Sequence, residues 1–161
     1  GLYGACSTSG EALALASMSA AAGYGGTMIA VTSSHFGSAE KEFRFPLGYA
    51  NQRPLSSHWT VTGSGAFLVQ SAEEYRKQNT KSYFSNIRIT GVTVGKIVDY
   101  GLKDSQNMGA CMAPAAMDTI VQNFQDMERK EKDYDRIITG DLGSIGRTIL
   151  FDLIREKGYD I

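Results

Sequence analysis

The fold of this chain is decided near its start, where residues 1–34 read GLYGACSTSGEALALASMSAAAGYGGTMIAVTSS. The alanine- and leucine-rich run 8–22 predicts a helix that begins at Thr8, with Glu11 spaced from it as in a capping box. The uncharged, β-branched run 27–33 predicts a buried strand. Because both long sides of the helix are nearly apolar, we expect it to lie buried between layers of an α/β protein.

The composition is that of a globular protein. Its 161 residues are 42% hydrophobic, which is enough for a core without disulfides or metals. Sixteen basic and seventeen acidic side chains leave a net charge of −1, so there is no broad positive field and we predict no nucleic-acid partner. The two cysteines, Cys6 and Cys111, are too few for a disulfide framework, which indicates free thiols in a reducing compartment.

The rest of the chain continues the mixture of helices and strands. Residues 35–59 have no sustained periodicity and predict a long functional or interface loop. Glycines inside the strand predicted at 60–69 indicate a close backbone neighbour. The further predicted elements are a helical turn at 73–77, a long bent strand at 86–100, a helix at 110–127 with Pro114 in its first turn, a strand at 134–140, a helix at 144–157 capped by Ser144, and a short strand at 159–161.

Cys6 is the first candidate functional residue. It stands where a strand-like entry meets the helix at 8–22, and the free N–H groups and dipole of a helix N-terminus favour a nucleophilic thiolate. The same N–H groups can hold an oxyanion or a carboxylate. The alternative is a small buried core residue, which is also the interpretation favoured for Cys111.

His35 and a glycine-rich turn are further candidates. His35 directly follows the strand at 27–33, where ligand-contacting residues of α/β sheets tend to lie, so it could form a pair with Cys6. His58 is predicted to lie at the surface. Residues 140–146, GDLGSIG, lie between a predicted strand and a helix as a phosphate loop would. Their GxxGxxG spacing and the lack of a P-loop lysine favour tight helix-to-sheet packing instead.

Five motifs together resemble the stage V sporulation protein AD family of endospore-forming bacteria. The resemblance covers essentially the whole chain and implies a thiolase-like fold with α-β-α-β-α layers, of which this chain is a fragment. It assigns residues 1–85 to the end of the first thiolase-like half and 86–161 to the start of the second. The motifs are GLYGACSTSGEALALA, VTSSHFGSAEKEFRFPLGYANQRP, WTVTGSGAFLV, MGACMAPAAMDTI and YDRIITGDLGSIGR.

The resemblance also bears on catalysis. In thiolase-like condensing enzymes the nucleophilic cysteine starts the central helix, a position that corresponds here to Cys6. Condensing enzymes carry a histidine in the turn that matches residues 139–143, which here read TGDLG. That histidine stabilises the developing anion, so its loss disfavours condensation and implies a protein that is not an enzyme. The alternatives are an acyl-thioester transferase of the ketoacyl synthase III type that uses Cys6, and a purely structural subunit.

The ligand that the resemblance implies is dipicolinic acid, pyridine-2,6-dicarboxylate, taken up into the developing spore. We expect no cofactor and no protein-bound metal, although Asp141 could help coordinate a calcium ion that accompanies dipicolinate. Two carboxylates on a flat ring need donors and an aromatic or apolar slot. The predicted ligand-binding residues are Cys6, His35, Phe36, Gly140, Asp141 and Arg53.

Partners and location follow from the same resemblance. It implies that the partners are other membrane proteins of the stage V sporulation A operon and that the protein forms a homodimer. Arg44 lies between two phenylalanines, a pattern typical of a subunit interface. The uncharged stretch between Glu11 and Glu40 contains glycines and serines, so it does not predict a membrane helix. We therefore expect a peripheral protein at the cytoplasmic face of the forespore or spore inner membrane.

Overall fold

The computed structural model describes residues 1–35, 55–58, 61–78, 87–104 and 106–161. The predictions for Phe36, Arg44 and Arg53 lie outside these residues. The described part is mixed α/β and forms two compact units, Gly1–Ser34 with Thr62–Val92 and His35–Val61 with Thr93–Ile161. Its elements are a 3-10 turn Ala5–Ser7, helix α1 Thr8–Ala21, strand β1 Thr27–Ser34, strand β2 Gly63–Gln70, helix α2 Ala72–Gln78, helix α3 Met108–Asp126, a 3-10 turn Glu131–Asp133 and helix α4 Gly143–Glu156.

The first unit is a helix packed on a two-stranded antiparallel sheet. Strands β1 and β2 pair in a register that runs from Thr27 opposite Gln70 to Ser34 opposite Gly63. Helix α1 buries Ala12 and Ala16 against Ala30 of β1. Alanines on both surfaces let the helix approach the sheet closely, and the elements predicted at 8–22, 27–33 and 60–69 are confirmed within two or three residues of their predicted bounds.

The expectation that α1 and β1 are buried on all sides is wrong for this chain. Leu15 and Met18 of α1 are nearly half exposed, and Ile29 of β1 is 64% exposed. Side chains alternate between the two faces of a strand, so α1 covers the face that bears Ala30 and leaves Ile29 on the other. The close backbone approach predicted for the glycines of β2 does not occur on their side-chain faces, where a Cβ on Gly63 would meet no atom within 4 Å and one on Gly65 would meet the Phe67 side chain at 3.9 Å.

The second unit is built on the packing of α3 against α4. A Cβ placed on Gly146 of α4 would lie 2.7 Å from the Cα atom of Gly109 in α3, so the two helix backbones are in contact. Gly146 thus serves tight packing, as predicted for the glycines of 140–146, but against a helix rather than a sheet. The buried cluster around this contact consists of Ala113, Met117, Leu142, Leu150 and Ile154.

Three further predicted strands are wrong in this structure: none of the described residues in 87–100, 134–140 or 159–161 is in a strand. Apolar alternation shows that a segment can pair, whereas a strand exists only beside a hydrogen-bonded neighbour. The predicted position of Pro114 in the first turn of its helix is also wrong, because α3 begins at Met108 and Pro114 lies in its second turn. The helix starts early because Asn107 caps it, with Oδ1 accepting from the Ala110 N–H at 3.1 Å.

The sheet formed by the described residues has two strands, which does not test the predicted layers, so the thiolase-like layering stays a prediction. The domain boundary after residue 85 concerns the halves of a longer protein and also stays a prediction. Across the described part of the chain, no helix has the length and hydropathy that crossing a bilayer requires.

Candidate functional site

Cys6 lies exposed in the 3-10 turn that leads into α1. The turn is built by local bonds: the Gly4 N–H donates to Thr8 Oγ1 at 3.0 Å, and Thr8 Oγ1 donates to the Ala5 carbonyl at 2.8 Å. Ala5 has a φ of 48°, in the left-handed region that few residues other than glycine adopt. The position predicted for Cys6 at the helix start is confirmed, and the alternative of a buried core residue is wrong for this chain.

The capping box predicted between Thr8 and Glu11 is wrong: Ser7 is the N-cap of α1 and makes no side-chain cap hydrogen bond. Ser7, one residue earlier, hydrogen-bonds the Glu11 carboxylate through Oγ. Gly4 is required beside this pair, because a Cβ there would collide with Glu11 Oε1 and Ser7 Oγ. The helix start is therefore held by the side chains of Ser7, Thr8 and Glu11, all of which follow Cys6.

His35 and Cys111 were also subjects of sequence predictions, and both are exposed. His35 directly follows β1 and is exposed, and it belongs to the second unit whereas Cys6 belongs to the first. The Cys6–His35 pair therefore stays a prediction. Cys111, predicted as a core residue, is exposed in the first turn of α3, so that prediction is wrong; both thiols are free, as predicted.

Gly140 and Asp141 line an open cleft of about 820 Å³ in the second unit. Its lining comes from the 3-10 turn Glu131–Asp133, the segment 134–143, α4 as far as Phe151, and residues 160–161. Leu142 and Leu150 present their buried side chains to it, and Phe151 adds an aromatic ring. The structure thus brings two of the predicted ligand residues together in one apolar-walled cleft.

Charged side chains of both signs surround this cleft. Arg136 and Arg147 are exposed, and the guanidinium carbon of Arg147 lies 5.0 Å from the centre of the Phe151 ring. A guanidinium over a ring offers a planar donor beside a flat surface, which suits a planar carboxylate. The charged residues of the lining are Lys132, Arg136, Arg147, Glu131, Asp135, Asp141 and Asp160.

Sequence reasoning missed both arginines, although they stand at the two ends of the stretch RIITGDLGSIGR. The signal was available: a basic residue on each side of a strand-to-helix turn. The glycines predict backbone N–H donors, whereas Arg147 directly follows the last glycine and adds a side-chain donor within the first turns of α4.

A tight turn at Asp141–Gly143 forms the floor of the cleft. Asp141 Oδ1 accepts from the Gly143 N–H at 2.9 Å, and Gly143 has a φ of 63°, which favours glycine. The Asp141 carbonyl accepts from Nδ1 of His58 at 2.6 Å. His58, predicted at the surface, is 4% exposed, so that prediction is wrong.

A metal site is not evident from the side chains. Among the described residues, no three histidine, cysteine, aspartate or glutamate side chains are grouped so that they could hold an ion. The Asp141 carboxylate is engaged with its own turn through the Gly143 N–H. A calcium ion that accompanies a ligand remains the prediction made from the sequence.

Comparison with known proteins now decides the family. The family described as Stage V sporulation protein AD (SpoVAD) matches residues 1–161, the whole chain. The chain belongs to the SpoVAD family. Stage V sporulation protein AD of Bacillus subtilis (strain 168) is 43% identical to it over 160 residues, which make up 99% of this chain and 44% of that relative. This SpoVAD chain therefore spans less than half the length of the relative, and the resemblance noted from its motifs is confirmed.

Proposed function

We propose that this SpoVAD chain is part of a thiolase-like protein without catalytic activity that binds dipicolinic acid and supports its uptake into the developing spore. One observation carries the proposal: the cleft at the Gly140–Asp141 turn combines two exposed guanidinium groups with an apolar and aromatic wall. That combination meets the needs of a flat ring flanked by carboxylates.

The chemistry of the cleft matches the ligand in two respects. Guanidinium groups bind carboxylates through parallel N–H donors, so Arg136 and Arg147 can each serve one carboxylate of dipicolinate. Phe151 and the leucine side chains give the pyridine ring an apolar surface. The acidic residues of the lining repel a bare dianion, and binding as the calcium chelate would reduce that repulsion.

The same turn argues against condensing chemistry. Condensing enzymes place a histidine in the turn that corresponds to residues 139–143, and none of the described residues lining the cleft is a histidine. His58 is close to the turn, but its Nδ1 atom is engaged with the Asp141 carbonyl. Without a donor for the developing anion, a thiolate at Cys6 would lack the partner that condensation requires.

The architecture and setting form part of the proposal. In it, α1 with Cys6 at its start and the β1–β2 pair belong to α-β-α-β-α layers that other parts of the protein complete. The protein acts as a homodimer at the cytoplasmic face of the forespore inner membrane, together with membrane proteins of the stage V sporulation A operon. The family name supports the sporulation role.

A second candidate function is acyl transfer through a thioester on Cys6. The exposure of the thiol at the start of α1 favours it, because a helix N-terminus stabilises a thiolate and an exposed thiol can be reached by a substrate. The absence of a histidine from the turn at 139–143 is the reason we rank it second.

Calorimetric titration of the intact protein with dipicolinate, alone and as the calcium chelate, tests the proposal. Picolinate, which has the same ring and one carboxylate, is the matched control ligand. Two arginine donors predict saturable binding of the dicarboxylate and affinity for picolinate that is lower by about tenfold or more. Failure of both dipicolinate forms to bind would contradict the proposed function.

A further inference from the structure

The second histidine of the chain, His58, is the buried residue of the described segment 55–58. His58 is 4% exposed, whereas Leu55 in the same segment is 75% exposed. Its Nδ1 atom lies 2.6 Å from the Asp141 carbonyl oxygen, 83 residues further along the chain. A carbonyl oxygen can only accept, so the proton resides on Nδ1 and the ring donates to the turn.

Two further contacts join the same segment to the same turn. A Cβ placed on Gly143 would lie 3.0 Å from the Ser57 carbonyl oxygen, so the segment presses directly on the left-handed residue of the turn. Ser144 Oγ donates to the Leu55 carbonyl oxygen at 3.5 Å, which is a long and weak hydrogen bond. The segment 55–58 therefore contacts the turn at three points, and none of its residues is among the described residues that line the cleft.

This turn belongs to the cleft. Asp141, Leu142 and Gly143 all line it, and Leu142 is also part of the buried cluster between α3 and α4. The bond from Asp141 Oδ1 to the Gly143 N–H closes the turn locally but does not fix its position relative to the rest of the unit. The donor at His58 Nδ1 adds a long-range bond, because it ties the backbone of the first residue of the turn to a segment 83 residues earlier in the chain.

We propose that His58 is a positioning residue of the cleft: by holding the Asp141 carbonyl it fixes the turn and thereby sets the affinity of the cleft for its dicarboxylate. This inference rests on the proposed function for its ligand and on the hydrogen bond for its mechanism. His58 itself does not touch the ligand. Its role needs a donor at the Nδ1 position together with enough bulk to fill a buried site.

Three variants of the intact protein separate these requirements. In His58→Asn the side-chain amide can place a donor near the Nδ1 position; in His58→Gln the amide reaches beyond it; and His58→Leu keeps the bulk without a donor. Each is assayed by titration with dipicolinate and by amide hydrogen exchange. The exchange of Leu142 and Gly143 reports on the turn, and that of Leu150 and Ile154 in α4 is the internal control.

We expect His58→Asn to bind within about twofold of the natural protein, and His58→Gln and His58→Leu to bind about tenfold more weakly. The last two should also exchange faster at Leu142 and Gly143 while Leu150 and Ile154 stay unchanged. If His58→Leu has the same amide exchange rates at Leu142 and Gly143 and the same affinity for dipicolinate as the natural protein, the proposal is overturned. If that variant does not fold, equal behaviour of the Asn and Gln variants overturns it.

The two proposals fail differently. If the natural protein binds no dipicolinate, the proposed function is lost, while the exchange of the turn still decides whether His58 holds it. If dipicolinate binds with equal affinity to all three variants, the function stands and the positioning role is lost.

Discussion

Gly109 of α3 and Gly146 of α4 bring two helix backbones into contact, because a Cβ on Gly146 would lie 2.7 Å from the Gly109 Cα atom and 3.0 Å from the Gly109 carbonyl oxygen. Neither neighbour is a flexible side chain that could move aside. The contact fixes where α4 begins relative to α3, and α4 carries Arg147 and the end of the cleft turn. The position of the candidate site therefore depends on two residues that have no side chain.

Gly146→Ala should destabilise the intact protein by about 2 kcal/mol, because the helices must separate to admit the methyl group. Thr148→Ala, two residues along α4 on its exposed side, is the matched control and should change stability by less than about 0.5 kcal/mol. Urea unfolding measures both. A free energy of unfolding that is unchanged in Gly146→Ala would show that the helices are not in contact as described.

Asn107→Ala should cost about 1 kcal/mol, because it removes the side-chain oxygen that accepts from the Ala110 N–H at the start of α3. Asn107→Asp keeps an acceptor and adds a charge that suits the helix N-terminus, so it should be at least as stable as the natural protein. The same unfolding measurement compares them. Equal losses in the two variants would contradict the cap.

The helices were predictable from the sequence because their signals are local. Alanine content, apolar spacing and a glycine stop place α1 to within a residue, and the same features find α3 and α4 within two. Their caps were less predictable: Ser7 rather than Thr8 bonds Glu11, and Asn107 starts α3 early enough to bring Pro114 inside it. Cap choice depends on side-chain rotamers that spacing does not reveal.

The strands were predictable only where a partner lies in the described residues. The run 27–33 pairs with the run 60–69, and both predictions hold. The run 86–100 has the same β-branched alternation, but none of its described residues is in a strand. A strand requires a pairing partner, and the pattern within one segment does not identify that partner.

The candidate site was half predictable. Gly140 and Asp141 were found because a glycine-rich turn before a helix is a recognisable signal. His58 was not found, because burial of a lone histidine depends on a carbonyl 83 residues away. Arg136 and Arg147 were predictable only as basic residues that flank this turn, because the sequence does not show which side chains face a cleft.

The proposed lack of catalysis makes a prediction for the thiols. Incubating the intact protein with acetyl-CoA should leave Cys6 unmodified, because the turn at 139–143 supplies no histidine to assist acyl transfer. Mass spectrometry of the protein detects the adduct, and Cys111, the other exposed thiol, reports non-specific acylation. An acetyl group on Cys6 and not on Cys111 would favour the acyl-transferase alternative instead.

The most direct test of the account is whether dipicolinate binds through Arg147. Arg147→Gln removes the guanidinium over Phe151, and Arg155→Gln on the same helix is the matched control, because Arg155 is exposed, pairs with Asp152 at 3.3 Å and does not line the cleft. Calorimetric titration of the intact variants should give about tenfold weaker binding for Arg147→Gln and natural affinity for Arg155→Gln. Natural affinity in Arg147→Gln would contradict the assignment of this cleft as the dipicolinate site.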